Sequence, residues 1–594
     1  MKKINKIQFL LILLLGITFT SCETTDLDLL DDPNNVTLDK ADLDRYLVAI
    51  QLDFADFVQL MGTNGAQLTR IEYMFGRTYE ANYSAVFTNT EWNLAYQGMF
   101  SDIKGAEQLA VQFEQNKHLG VMKVIQAYTL MTLVDIYGDV PYTEATNPSE
   151  FPFPNPDSGA SVYAAAIDLL DQAIVDLNGS GDNLTTDFFY DNDFSNWIRV
   201  ANTIKMRAYL NTRLVDASAI GKFNTIVSSG NFISNTASDF QFKYGTNNVN
   251  PDVRHPGYAS DYNVSGVGSY RSNWLMDLMV TTDDPRRFSY FFRQVPCTPG
   301  AGTCPPSGPQ LQCSQQSSPQ HYPSTMIFCS VENGYWGRDH GNDEGIPPDS
   351  FRRTARGSYP AGGGYDFGTN RDGTIELQGD GTYAFEYDAS NDAAGLERGL
   401  LGAGITPIIL ASNVDFWRAE IALSNGSAGT AASFVRAGME KSIAKVDAFL
   451  GTNDPGYDAS LLLDDTEFDS ATGTITTPST SGDLQPTNAE ITAFVNSQVG
   501  LITDTSDSSW NTLANQLFVN AYGNGLDAYN FYRRTGFPKT LQFNIESASG
   551  NFVRSFFYAA SEANTNNNIT QKETVDQPVF WDNNPPSPGF PFAN

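Results

Sequence analysis

Apolar residues that recur at steps of three and four run through the first third of this chain, and that period commits it to a helical frame. Leu43, Leu47, Ile50 and Phe54 mark one stripe, with Thr37 and Asp39 before it as candidate caps. Trp92, Ala95, Met99, Ile103, Ala106 and Leu109 mark a second. Val121, Val124, Tyr128 and Met131 mark a third, on a helix expected to stop near Gly138, where glycine tolerates positive φ and Pro141 beyond cannot continue the helix. Val162, Ala166, Leu169, Leu170, Ala173 and Leu177 form a fourth stripe. Trp197, Ala201, Ile204, Ala208 and Leu214 form a fifth, which carries Lys205, Arg207 and Arg213. Short connections between amphipathic helices imply antiparallel hairpins. The pattern returns over 414–423, 428–450, 488–499 and 510–522. The expected fold class is therefore mostly α, with a helical scaffold over about 37–230 and 405–530. No fixed repeat near 34 residues stands out.

Between these blocks, about 230–405, the chain reads as loops with few short strands. Gly266-Val267-Gly268-Ser269-Tyr270 and Ala361-Gly362-Gly363-Gly364-Tyr365 are punctuated turns, and 382–387 is a candidate extended piece. Cys297, Cys304, Cys313 and Cys329 sit together in a Pro/Gly/Ser/Gln-rich stretch. Four cysteines in an exported chain read as two local disulfides, with three pairings open. Paired CxxC spacing is absent and His321 alone does not supply a zinc site. The bridges would staple a surface loop that has little core of its own.

The N terminus states the compartment. Lys2, Lys3 and Lys6 precede an apolar run from Phe9 to Phe19, which leads to Ser21-Cys22. The run is too short for a bilayer span and reads as a signal peptide over 1–21. Cys22 at the cut resembles the bacterial lipobox, whose thiol is acylated, so 22–36 would be a lipidated flexible tether to the membrane. The acids in 23–32 suit that role. The chain carries 36 basic and 68 acidic side chains, and without residues 1–21 (three Lys and no acid) its net charge is −35. A surface of that sign repels nucleic acid, and repels anionic lipid unless the body stands off the membrane.

Several local patterns then coincide in order along the chain. They are the lipobox at Cys22, Trp92-Asn93-Leu94-Ala95-Tyr96, Tyr137-Gly138-Asp139-Val140-Pro141-Tyr142, and Asp415-Phe416-Trp417-Arg418-Ala419-Glu420. Arg533-Arg534-Thr535-Gly536-Phe537-Pro538 and the stretch from Arg554 to Asn568 follow. In this order the chain resembles the SusD/RagB family of outer-membrane nutrient-binding lipoproteins. The resemblance implies tetratricopeptide-like helix pairs that scaffold a loop-rich ligand-binding half, all within one SusD-like domain over 37–594. It implies a cell-surface, lipid-anchored receptor, without enzymatic activity or cofactor, that passes a nutrient to a TonB-dependent, SusC-like transporter. The chain departs from the family where Tyr558-Ala559 replaces the usual Tyr-Pro, and the insert from Cys297 to Cys329 lies outside the common pattern.

Candidate site residues come from the loops. Trp92, Trp417 and Tyr128 lie on helical stripes, where packing is the default. Arg418 and Glu420 are two apart on a helix and suit ionic contacts to neighbouring helices rather than catalysis. Tyr79, Tyr83, Tyr270, Trp274, Tyr335 and Trp336 are loop aromatics that could cover the C–H face of a sugar while Asn, Asp and Arg bond its hydroxyl rim. The competing reading is that they anchor the loops to the core. Asp339, His340, Asn342, Asp343 and Glu344 crowd oxygen ligands into one turn, yet not at EF-hand spacing, so a solvated loop without metal is expected. No HExxH, GxSxG or GxxxxGK[ST] occurs. A glycosidase needs only two carboxylates, so a lipid-anchored glycoside hydrolase stays as an alternative, as does a peptide- or protein-binding member of the same scaffold.

Overall fold

The computed structural model describes residues 42–294, 298, 300, 310–332, 334–344, 352–366, 399–449, 467–469, 474–476 and 486–593. The first stripe becomes α1 (Leu43–Leu68), with Leu47, Ile50 and Phe54 buried. Thr37 and Asp39, its candidate caps, lie outside the described residues, as does the candidate extended piece at 382–387. The second stripe starts in α2 (Asn89–Asn93), passes through a π-helical stretch over Leu94–Met99 and continues as α3 (Phe100–Gln112). The third becomes α4 (Asn116–Tyr137), which ends where Gly138 takes φ 86°. Nearly every residue of α4 is buried, so this helix, though long and apolar enough to cross a bilayer, is the core of the scaffold.

The fourth and fifth stripes are α5 (Gly159–Leu177), capped by the Ser158 hydroxyl, and α6 (Phe194–Thr212); Leu214 falls just past the end of α6. A helix not legible in the stripes, α7 (Ala219–Ser229), follows. Consecutive helices pack in pairs, α4 on α5, α5 on α6 and α6 on α7. A β-carbon on Gly120 of α4 would sit 2.5 Å from Leu177, so the α4–α5 pair closes to a distance only glycine permits.

The loop-rich part begins with β1 (Phe240–Lys243). After it come β2 (Phe291–Phe292), β3 (Ala355–Arg356) and β4 (Ile405–Ile409). β1 pairs antiparallel with β4, Phe240 opposite Ile409, so the two ends of the loop-rich part are tied together at its base. Phe240 anchors that tie by packing on Phe54 and Trp197 of the scaffold, 5.8 and 5.6 Å between ring centroids. β2 pairs with β3 within the loops.

The second helical block is α8 (Ala411–Ser424), α9 (Ala428–Ala448), α10 (Asn488–Val499), α11 (Asp507–Asn520) and α12 (Leu526–Thr535). α8 packs on α9 and α11 and also reaches α6, which joins the two helical blocks. All elements from Asp44 onward belong to one compact unit. The mostly α class with few short strands stands as expected.

Buried charge joins the blocks chemically. Glu420 on α8 has no exposed surface and accepts from two guanidiniums, Arg213 Nη2 at 2.7 Å and Arg534 Nη2 at 2.8 Å. Arg534 also donates to Asn211 Oδ1 at 2.6 Å, and Asn211 Nδ2 reaches Asp135 on α4. Asp135 further accepts from the Tyr163 hydroxyl, Asn530 Nδ2 and Trp581 Nε1. Burial opposes the Glu420 charge, but Arg534 and Arg213 outweigh it and hold the carboxyl below its ordinary value. Arg418, its neighbour, meets Asp415 and lies 4.0 Å from the centre of the Phe434 ring.

Replacement of Glu420 by Gln keeps the shape and removes the shared anion, which leaves two guanidiniums buried without it. The expected loss is about 3–5 kcal/mol in denaturant unfolding. Because the folded carboxyl titrates below its unfolded value of 4.5, the wild type carries this stability above pH 4.5 and loses it as pH falls further. The E420Q variant should lack that part of the acid slope.

Candidate ligand-binding surface

The six aromatics picked from sequence do not form an exposed platform. Tyr79, Tyr83, Tyr270, Trp274, Tyr335 and Trp336 are all buried, none above 7% exposure. Each has a packing role instead. The Tyr79 hydroxyl accepts from Arg70, Tyr83 lies 4.9 Å from Phe556, and Trp274 Nε1 donates to the Thr540 carbonyl. Tyr270 holds Arg338 and Arg353 at 4.2 and 4.1 Å from its centroid. Tyr335 lies under Arg293, and Trp336 packs with Leu311 and Cys329. Trp274 lies on a helix (Asn273–Thr281) and Tyr79 opens a short one (Tyr79–Asn82), while the others anchor loops to the frame with the apolar area of large rings.

The turn from Asp339 to Glu344 is likewise not a solvated loop. Asp339, His340 and Asn342 are buried. Asp339 accepts from Cys329 N at 2.6 Å, Gln542 Nε2 at 2.7 Å and Asn273 Nδ2 at 3.2 Å, so its oxygens are spent on holding three segments together. Only Asp343 and Glu344 reach the surface. Among the described residues no group of three or more His, Cys, Asp or Glu could hold a metal ion.

Cys313 and Cys329 form a disulfide; Cys297, Cys304 and the lipobox Cys22 lie outside the described residues. The loop closed by this bridge is stitched to the C-terminal segment. The Tyr322 hydroxyl donates to the Phe543 carbonyl at 3.1 Å, and His321 Nε2 lies 2.7 Å from the Asn544 carbonyl.

A different set of rings faces solvent. The segment after α1 is pinned from below by Arg70, fully buried with φ 60°, which donates Nε to the Gln542 carbonyl at 2.8 Å. It is pinned from the side by Gly341 N on the Met74 carbonyl and by the Tyr73 hydroxyl on the Asn342 carbonyl. Phe75 at its crest is 57% exposed, and Arg77, two residues on, donates to Asp343 Oδ1 at 2.6 Å. The third segment carries Phe543, half-buried, in contact with Phe592, which is 48% exposed, at 5.3 Å between centroids. His321 lies 6.3 Å from Phe543 and 5.3 Å from Tyr322. Ile545 N donates to the His340 carbonyl, which joins this segment to the Asp339–Glu344 turn.

The result is a surface made from three stretches distant in sequence. It carries exposed apolar rings at Phe75 and Phe592 and a polar rim of Arg77, Asp343, Glu344 and Glu546. The Asp343 hydrogen bond, its charge, and the nearby Glu546 and Glu344 raise the Arg77 guanidinium above its ordinary value. Neither ring lies on a helical stripe. The available signals were the Phe75-Gly76-Arg77 turn and the Phe590-Pro591-Phe592 tail, in which a ring stands beside a residue that keeps the backbone out of regular structure.

This arrangement, apolar ring faces and hydrogen-bonding groups on loops held by a helical frame, is the candidate binding surface. The chain belongs to the SusD/RagB family of outer-membrane lipoproteins. A model described as starch-binding, associating with the outer membrane, matches residues 40–301. A second, described as SusD and RagB outer membrane lipoprotein, matches 404–577. Among solved structures, a chitin-binding protein is similar over 90% of this chain and 100% of its own, with 18% identity and a TM-score of 0.57. A chitin-binding SusD homologue from Flavobacterium johnsoniae gives 91%, 99%, 15% and 0.55 in the same order. A SusD/RagB family protein from Bacteroides thetaiotaomicron gives 91%, 99%, 18% and 0.54. None of the curated proteins matches the chain.

His340 gives the surface a pH dependence. Burial first, and then the Arg70 charge, push its imidazole well below the ordinary 6.5, so it is neutral when folded. Stability from this group is complete above pH 6.5 and is lost as pH falls, at up to about 1.4 kcal/mol per pH unit. Relative to the intrinsic rate, which itself slows on acidification, hydrogen exchange at the Gly341 and Ile545 amides should show an excess that grows from pH 7 to pH 5. H340Q should remove that excess.

Proposed function

We propose that this protein is a lipid-anchored cell-surface receptor that binds an oligosaccharide and delivers it to a TonB-dependent, SusC-like outer-membrane transporter. The observation that carries the reading is the exposure of Phe75 beside Arg77 and its partner Asp343, on segments hydrogen-bonded to the 541–546 stretch whose Phe543 packs on the exposed Phe592. Other rings, such as Phe113, are as exposed, but an apolar ring rimmed by polar groups on loops is the pattern that suits a ligand. A pyranose has the matching chemistry, one C–H face for a ring and hydroxyls for carboxylate, amide and guanidinium.

Family membership supports the outer-membrane setting, and two of the similar structures are of chitin-binding proteins. Binding rather than bond cleavage is the role assigned here, with no cofactor. Acylation at Cys22 and a tether over 22–36 would hold the 37–594 domain at the cell exterior, close to a channel mouth, where tethering raises the effective ligand concentration.

Phe75→Ala and Phe592→Ala should each weaken oligosaccharide binding by roughly tenfold, the equivalent of about 1.4 kcal/mol from lost ring contact. Calorimetry against a panel of oligosaccharides reads this. Unchanged affinity in both variants would move the site elsewhere, and turnover of a bound sugar would convert the protein into a hydrolase. The anchor has its own test. The mature protein purified from membranes should show diacylglycerol on the Cys22 sulfur by mass spectrometry and should carry a transporter through mild detergent extraction. A mature N terminus without lipid would contradict the anchored reading.

A further inference from the structure

The charge around the exposed rings limits which sugars can approach them. Arg77 is 56% exposed, yet its guanidinium is engaged by Asp343 at 2.6 Å. Glu344 and Glu546 lie within electrostatic reach of the same group. Arg70 is buried beneath the segment, and Arg338 is turned inward; it donates to the Glu344 carbonyl at 2.6 Å and to the Tyr270 hydroxyl at 3.1 Å. Among the described residues, Asp343, Glu344 and Glu546 therefore surround the surface guanidinium of Arg77. The whole chain adds a background of −32.

We infer that this surface takes neutral or amine-bearing glycans and turns away sugars that carry carboxylate or sulfate. The inference rests on the glycan reading above and specifies its substrate class. A uronate seated on Phe75 would bring its charge toward Asp343, Glu344 and Glu546 and would have to compete for Arg77 with a carboxylate already bonded to it. An uncharged hydroxyl rim meets no such opposition, and an ammonium group gains from it. Asp343 and Glu344 fall within 302–403, the stretch between the two family matches, so this charge belongs to a part of the chain that the family pattern does not cover.

The test uses the whole mature protein and three oligomers of equal length: an N-acetylhexosamine oligomer, its de-N-acetylated form and a uronate oligomer. At low ionic strength the uronate should bind roughly fivefold more weakly than the neutral oligomer, the de-N-acetylated form at least as well, and the gaps should close at about 0.5 M salt. In D343N/E344Q/E546Q the ratio of neutral to uronate affinity should move toward one. Uronate binding equal to or tighter than neutral binding at low salt, or a gap that salt leaves untouched, would overturn the inference while the glycan reading stands. Failure of all three oligomers to bind would overturn both. The salt series on the wild-type protein decides the matter even if the triple variant does not fold.

Discussion

The fold depends on a buried carboxylate shared by two arginines. Glu420 sits where α8 crosses α6 and α12, and its partners Arg213 and Arg534 come from the ends of those two helices. An ion buried without a partner is severely unfavourable, so these three helix ends have one arrangement in which all charges are met. The network then runs through Asn211 to Asp135, and from there to Tyr163, Asn530 and Trp581. Apolar packing on α4 makes the scaffold compact, whereas this polar chain fixes the register of five elements at once.

The motifs that mark the chain in sequence converge on two such internal sites and not on the binding surface. Trp92, Tyr137 and Tyr558, from three motifs, meet as an aromatic cluster with centroid separations of 5.1 and 6.4 Å. Tyr96 and Tyr558 donate to the carbonyls of Pro141 and Asp139, which ties the helix-ending turn to both flanking motifs. Motifs of this kind preserve the frame, and the loops above it are then free to vary.

That division explains what could be read from residues alone. Stripes of period 3.6 gave α4, α5, α8, α9 and α10 close to their observed ends, because apolar residues line whichever faces these helices bury, whereas the α1 stripe stopped at Phe54 and the helix runs on to Leu68. α7 and α12 were not legible. The Leu526–Thr535 segment is rich in Tyr, Asn and Arg, and its burial comes from hydrogen bonds to distant groups that no local window contains. The site failed for a related reason. Tyr79 and Trp336 look like loop rings by sequence neighbourhood, yet a long loop needs its own anchors, and the largest side chains supply them. Phe75 and Phe592, with less conspicuous surroundings, stay exposed because the chain folds beneath them. Which ring anchors and which faces solvent is decided by contacts such as Arg70 to Gln542, which span most of the sequence.

The surface therefore joins the segment after α1, the turn ahead of Glu344 and the C-terminal segment through backbone hydrogen bonds, and ligand contact at any one of them should be felt by all three. Hydrogen–deuterium exchange of the intact protein with and without a saturating oligosaccharide tests this most directly. The account predicts protection confined to 73–78, 339–344 and 541–546 with the 590–593 tail that packs on it, with the amides of α4 and α5 unchanged. Protection that instead falls on the helical scaffold, or that leaves those three segments untouched while the sugar is bound, would contradict it.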